Sequence, residues 1–140
     1  MGSSRRVRRS AAPRAASANP HQLISIGGGY PHGDVLDRAR LEIYAGGIVA
    51  YPTETFFGLG VNALDIKAVE KLFALKGRDR KTAMPTLLPS RDSLDRWARK
   101  VTPLARKLME AFWPGPLTLL LAARPGLPAP LIGQDGTLGV

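Results

Sequence analysis

Short β-branched apolar runs alternate along this chain with longer stretches of helical spacing. That alternation predicts an α/β domain built around a largely buried sheet. Two further observations agree with it. Polar residues cluster just beyond the end of the first apolar run, where open α/β sheets put their ligands. At 140 residues the chain allows one domain with a modest core.

The elements follow in order. Residues 1–33 carry five arginines (Arg5, Arg6, Arg8, Arg9 and Arg14) and no acid. With few large apolar residues among the first twenty, burial cannot offset the entropy of ordering them, so a disordered basic segment is expected. A solvated tail, a salt-sensitive nucleic-acid contact and an organelle transit peptide are the three readings open for it. Gln22 to Ile26 reads as a short edge strand, and Gly27-Gly28-Gly29 as a connector without phosphate-loop spacing. The folded part is expected over 34–140. Asp34 is the expected cap of a helix carrying Leu36, Ala39 and Ile43, closed by Gly46 and Gly47. Gly47 to Tyr51 reads as a buried strand that Pro52 stops, having no N–H to donate. Asp65 caps a second helix with Ile66, Val69, Leu72 and Phe73 facing inward, ending near Lys76-Gly77. Met84 to Leu88 is the third strand. Ser90 caps a helix running to Val101, and Thr102-Pro103 starts another through Phe112. Trp113-Pro114-Gly115-Pro116 breaks it. Leu117 to Ala123 is a continuous apolar strand, and a further strand begins at Gly136.

Composition narrows the chemistry. No cysteine is present, so disulfides, thiolate nucleophiles and cysteine-bound zinc are excluded. His21 and His32 both precede the folded part, which disfavours a histidine triad or metal site within it. No run approaches the ~18 apolar residues that span a membrane. Of the net charge of +9, residues 34–140 contribute +4, from fifteen basic and eleven acidic side chains. A mildly basic domain suits anionic ligands.

The chemistry-bearing residues fall in two clusters. Thr53, Glu54 and Thr55 follow the first strand, with Gly58 and Gly60 allowing close approach of backbone or ligand. Lys76, Arg78, Arg80 and Lys81 follow the second helix. Hydroxyls, one acid and several cations can bind, orient and neutralise charge developing on phosphates, which describes phosphoryl or nucleotidyl transfer. Each cluster has a plain structural alternative: Thr53 as a turn hydroxyl bonding its own backbone, and Lys76 as a cation complementing a helix dipole.

These residues carry a resemblance. Gly46-Gly47-Ile48-Val49-Ala50-Tyr51-Pro52-Thr53-Glu54-Thr55, then Gly58-Leu59-Gly60, Lys76-Gly77-Arg78 and Trp113-Pro114-Gly115-Pro116-Leu117-Thr118, resemble in order the YrdC-like family of threonylcarbamoyl-AMP synthases, from about Val35 to Val140. The resemblance implies a twisted open mixed sheet with helices packed on it, and an enzyme using L-threonine, bicarbonate or CO2, and ATP. It implies that Thr53, Thr55 and Phe57 hold threonine. It implies that Lys76 and Arg78 are the catalytic pair and contact ATP together with Lys81. Mg2+ is expected only as the ion carried by ATP, with no tightly bound cofactor or protein metal site. Threonine near the first strand and the phosphates at the helix end are expected to share one pocket. The implied product feeds a downstream threonylcarbamoyl transferase complex that modifies tRNA. A cytoplasmic location follows, or an organelle if the basic segment is a transit peptide.

The sequence departs from the family pattern at four places. Phe57 stands where the family usually has Tyr. Thr82-Ala83 replaces a pair that often contains Lys. The arginine of the Gly-x-Arg-x-Pro strand and the later Ser-x-Asn motif are absent. The chain is therefore expected to be the N-terminal portion of the domain, truncated at its C-terminus. Ser17-Ala18-Asn19 spells the second motif by chance, on the wrong side. The rival reading is a non-catalytic module binding double-stranded RNA or tRNA. Carbamoyl-transferring hydrogenase-maturation proteins rank last, because their additional regions are not seen.

Overall fold

A computed structural model of the chain describes residues 33–79 and 82–140. The expectations for the basic segment, the strand at 22–26, the glycine triplet, Arg80 and Lys81 lie outside the described residues. Among those described, helices alternate with two separate two-stranded antiparallel ladders.

Helix α1 spans Gly33–Tyr44. Asp34, the expected cap, lies inside its first turn, where a carboxylate still complements the positive helix end. Val35, Ala39 and Ile43, spaced by four, are half-buried, while Leu36 is exposed. The helix closes as expected. Gly46 takes φ 77°, its N–H donates to the Ile43 carbonyl at 3.1 Å, and the Gly47 N–H donates to Glu42 at 2.9 Å.

Strand β1, Val49–Pro52, pairs antiparallel with β2, Phe57–Gly60. Two expectations change here. Pro52 does not stop the ladder but sits in it, opposite Phe57. The Thr53 N–H donates to the Phe56 carbonyl at 3.0 Å. The Pro52–Phe57 pair is therefore a non-hydrogen-bonded one, where a missing N–H has no ladder bond to lose. Strand β1 is also half-buried rather than buried, alternating half-buried and exposed residues. β2 itself is new relative to the sequence reading.

Helix α2 spans Ile66–Lys76. The Asp65 carboxylate accepts from the Lys67 and Ala68 amides at 3.0 and 3.2 Å, satisfying two orphan donors. Val69, Leu72 and Phe73 are buried, whereas Ile66 is exposed. Gly77 ends the helix in the left-handed region, φ 56° and ψ 28°. The Lys71 ammonium donates to the Gly46 carbonyl at 2.9 Å and ties α2 to the turn before β1.

Residues 84–88 form no ladder strand. Met84 and Thr86 point inward while Pro85 and Leu87 are exposed, and the Thr86 N–H donates to Gly139 at 2.8 Å. The segment thus lies beside β4 through this bond, while Pro85 offers no N–H to its other edge. The expected helix after Ser90 is a 3-10 helix, Arg91–Arg96. The chain then turns extended, with the Arg99 N–H on Ala122 and the Arg124 N–H on Trp97, both at 2.8 Å. Helix α3, Pro103–Phe112, starts as predicted, with the Thr102 hydroxyl accepting from the Ala105 amide at 3.1 Å. Strand β3, Leu120–Ala122, pairs antiparallel with β4, Thr137–Gly139. Leu119 and Val140 extend the ladder by exchanging bonds at 2.8 and 3.0 Å. Leu138 is wholly buried among Leu121, Leu131, Met109 and Phe73 in the central core.

Candidate functional site

The four-residue turn Thr53–Phe56 joins β1 to β2 and carries the first polar cluster. The Thr53 hydroxyl donates to the Phe56 carbonyl, accepts from the Thr55 amide at 3.3 Å, and lies 3.5 Å from the Thr55 hydroxyl. Thr53 is therefore the turn hydroxyl that its residue type allows. The Thr55 hydroxyl lies beside it on the exposed tip. Phe56 is 84% and Phe57 76% exposed, so the tip presents two aromatic rings beside two hydroxyls and the Glu54 carboxylate. Such a set can grip a small zwitterion by hydrogen bonds and apolar contact.

The rest of the hairpin explains how this tip is held. Directly paired residues share a face, so Tyr51 and Gly58 lie together, as do Val49 and Gly60. A methyl group on Gly58 would lie 2.8 Å from Tyr51 Cζ, and one on Gly60 3.0 Å from Tyr51 Cε1. The Tyr51 ring thus lies across both glycines. The close approach inferred from Gly58 and Gly60 is real, but its occupant is the hairpin's own tyrosine. On the opposite face, Leu59, with Ile48 and Val61 flanking, packs against the core, while Pro52 and Phe57 are exposed.

The second cluster sits at the end of α2. Lys76 is exposed in the last turn. Arg78 is half-buried and turned back onto the chain. Its Nε donates to the Thr82 carbonyl at 3.3 Å and its Nη2 to the Ala83 carbonyl at 3.0 Å. Lys81 is outside the described residues. The described residues contain no group of three or more His, Asp or Glu side chains able to hold a metal ion. No described helix is long and apolar enough to cross a membrane.

The clefts among the described residues include these two. One, of about 180 Å³, lies between the 3-10 helix and α3 and is lined by Arg91, Asp95, Arg106 and Glu110 among others. The other, of about 320 Å³, lies between α3 and β3. Neither is lined by Thr53, Thr55, Phe57, Lys76 or Arg78, so neither is the expected shared pocket. The Arg78 contacts and the Tyr51 packing carried no signal in the sequence, because both depend on where the backbone goes.

Together these features define an α/β domain with a hydroxyl- and aromatic-bearing hairpin tip and a cation-bearing helix end. Residues 42–140 match the model of the Sua5, YciO and YrdC family, described as "Telomere recombination", and the chain belongs to that family. It is 40% identical over 98 residues to a threonylcarbamoyl-AMP synthase of Pyrococcus abyssi, covering 70% of this chain and 29% of that one. A putative threonylcarbamoyl-AMP synthase of Methanocaldococcus jannaschii is 36% identical, covering 67% and 45%. Among solved structures, P. abyssi Sua5 complexed with L-threonine superposes with a TM-score of 0.70 at 39% identity, covering 74% of this chain and 30% of that chain. The solution structure of MTH1692 from Methanobacterium thermoautotrophicum gives 0.64 at 36% identity, covering 85% and 57%. The chain spans less than half the length of both synthase relatives just described.

Proposed function

We propose that this chain carries the threonine-binding and ATP-binding part of a threonylcarbamoyl-AMP synthase. The observation that carries the reading is the likeness to a Sua5 structure complexed with L-threonine, at 39% identity and a TM-score of 0.70. The exposed tip supports it, since Thr53, Thr55 and Phe57 offer hydroxyls and an apolar ring to a small amino acid. Lys76, Arg78 and Lys81 are assigned to ATP, whose Mg2+ arrives as part of the nucleotide.

The reaction follows from these roles. The threonine amine forms a C–N bond with CO2, giving a carbamate and releasing a proton, or with bicarbonate, giving the same carbamate and water. A carbamate oxygen then attacks the α-phosphorus of ATP, and the bond to pyrophosphate breaks. The hairpin tip orients the amino acid. The cation at the end of α2 offsets charge on the phosphates, so positioning and electrostatics carry the rate. The product is a mixed anhydride, fit to hand its threonylcarbamoyl group to a tRNA adenosine in a separate transferase complex.

The test is pyrophosphate release by the chain with ATP, L-threonine and bicarbonate, alongside calorimetric titration of L-threonine. Release that requires threonine, and saturable threonine binding weakened by Thr53→Val, are expected. Absence of both would overturn the reading.

A further inference from the structure

Strand β3 has one used edge and one open edge. Leu119 and Val140 exchange main-chain bonds, and the Ala123 N–H donates to Gly136 at 3.0 Å, so residues 119, 121 and 123 turn their main-chain groups toward β4. The same alternation turns the N–H and C=O of Leu120 the other way. On that side residues 97–99 pair only from Ala122 onward, through the Arg99 N–H on Ala122 and the Arg124 N–H on Trp97. The chain then leaves for α3, and the Leu120 N–H and C=O have no main-chain partner among the described residues. The gap so left is the cleft of about 320 Å³ between α3 and β3. Leu104, Leu108, Leu119 and Leu121 give it apolar walls, Lys100 lines it, and among the described residues no acid does. Leu104 is 66% and Leu120 70% exposed, so this apolar surface is uncovered. Two more cations stand beside it: exposed Arg99 is opposite Ala122, and exposed Arg124 follows two residues later on the same face. Strand edges that meet only water are commonly blunted by Lys or Pro, and residues 117–123, Leu-Thr-Leu-Leu-Leu-Ala-Ala, hold neither.

We propose that the open edge of β3 docks an extended acidic peptide of a partner protein, which adds to the sheet as a further strand. Bonds to the Leu120 N–H and C=O set its register, alternate apolar side chains enter the cleft against Leu104 and Leu108, and the carboxylates between them meet Lys100, Arg99 and Arg124. Charge selects this occupant. Three cations disfavour a basic strand, and a second copy paired through the same edge contributes cations again rather than carboxylates. An RNA duplex would meet the cations but leave the Leu120 main-chain groups and the leucine walls unused. The cleft shares no lining residue with the hairpin tip or the end of α2, so the proposal does not rest on the synthase reading.

The probes are three fluorescein-labelled heptapeptides that alternate valine with glutamate, glutamine or lysine. Each is titrated onto the full chain by fluorescence anisotropy, with amide hydrogen exchange at Leu120 and Leu121 followed in parallel. The glutamate peptide is expected to bind on the order of tenfold tighter than the lysine peptide, with the glutamine peptide between them. Lys100→Glu, a change at an exposed position, is expected to erase or reverse that order. At saturation the Leu120 amide is expected to exchange on the order of tenfold more slowly, while Leu121, already in the ladder with β4, is unchanged. Methylating alternate backbone nitrogens of the glutamate peptide is expected to abolish binding, because it removes the main-chain bonds and leaves the charges. A glutamate peptide that does not bind, or that binds with Leu120 exchange unaltered, overturns the proposal. So does a free chain whose Leu120 amide is protected and loses that protection on dilution, since the edge then serves a second copy. Duplex RNA that binds in a Lys100-dependent way, where the glutamate peptide does not, overturns it as well.

Discussion

Alanine at position 58 tests how the hairpin tip is supported. Gly58 is extended backbone with no positive φ, so its lack of a side chain is not demanded by its own conformation. The demand comes from Tyr51, whose Cζ, Cε2 and Oη would lie 2.8, 3.0 and 3.0 Å from the added methyl. Contacts that short force the ring to move, and overpacking of this kind costs about 1–3 kcal/mol. Removing the ring should reverse the sign. With Ala at position 51 the three shortest contacts are gone, and Gly→Ala at a compatible position stabilises by about 0.4–1 kcal/mol through the unfolded chain. A double-mutant cycle of Gly58→Ala and Tyr51→Ala should therefore give a coupling of about 2 kcal/mol. Urea denaturation measures it through the midpoint at constant slope. In a melting experiment each kcal/mol moves Tm by roughly 4–8 °C for a domain near this size. If Gly58→Ala costs the same with and without the tyrosine, the ring does not lie on Gly58 and this account of the hairpin is wrong.

Other consequences are as direct. Thr86 is 5% exposed and its hydroxyl has no hydrogen-bond partner, so Thr86→Val should stabilise by about 1 kcal/mol in urea denaturation; a loss would show that the hydroxyl is bonded after all. Asp65→Ala removes the cap accepting two amides of α2 and should cost about 1 kcal/mol, with exchange rising first at Lys67 and Ala68. The Asp135 carboxyl is held below the ordinary carboxylate pKa, first by the Thr137 hydroxyl at 2.7 Å and then by the Thr137 amide at 3.0 Å. Its depressed folded value means that its contribution is present above the unfolded pKa and fades as pH falls through the lower folded one. Thr137→Val should therefore raise the Asp135 pKa in an NMR titration and flatten the acid limb of the stability curve.

What was legible in the sequence was what is decided locally. Asp65, Gly46-Gly47, Gly77 and Thr102-Pro103 set their helix ends through bonds to residues two to five positions away, and each stands where its residue type says. The features that changed depend on partners distant in the chain. β2 hides because two of its four residues are glycines, and only the ring across the hairpin shows why they are tolerated in a strand. Residues 84–88 have the alternation of a strand, but no ladder forms on them, and Pro85 offers no N–H to the edge facing away from β4. The site divides along the same line. Hydroxyls at 53 and 55 and cations at 76 and 78 could be named from their types, whereas the task of each depends on which backbone groups it reaches. Thr53 spends its proton on the turn, and Arg78 spends part of its fork on the chain ahead of it. A motif fixes the residue types at a site; the division of labour among them depends on which donors the fold has already used.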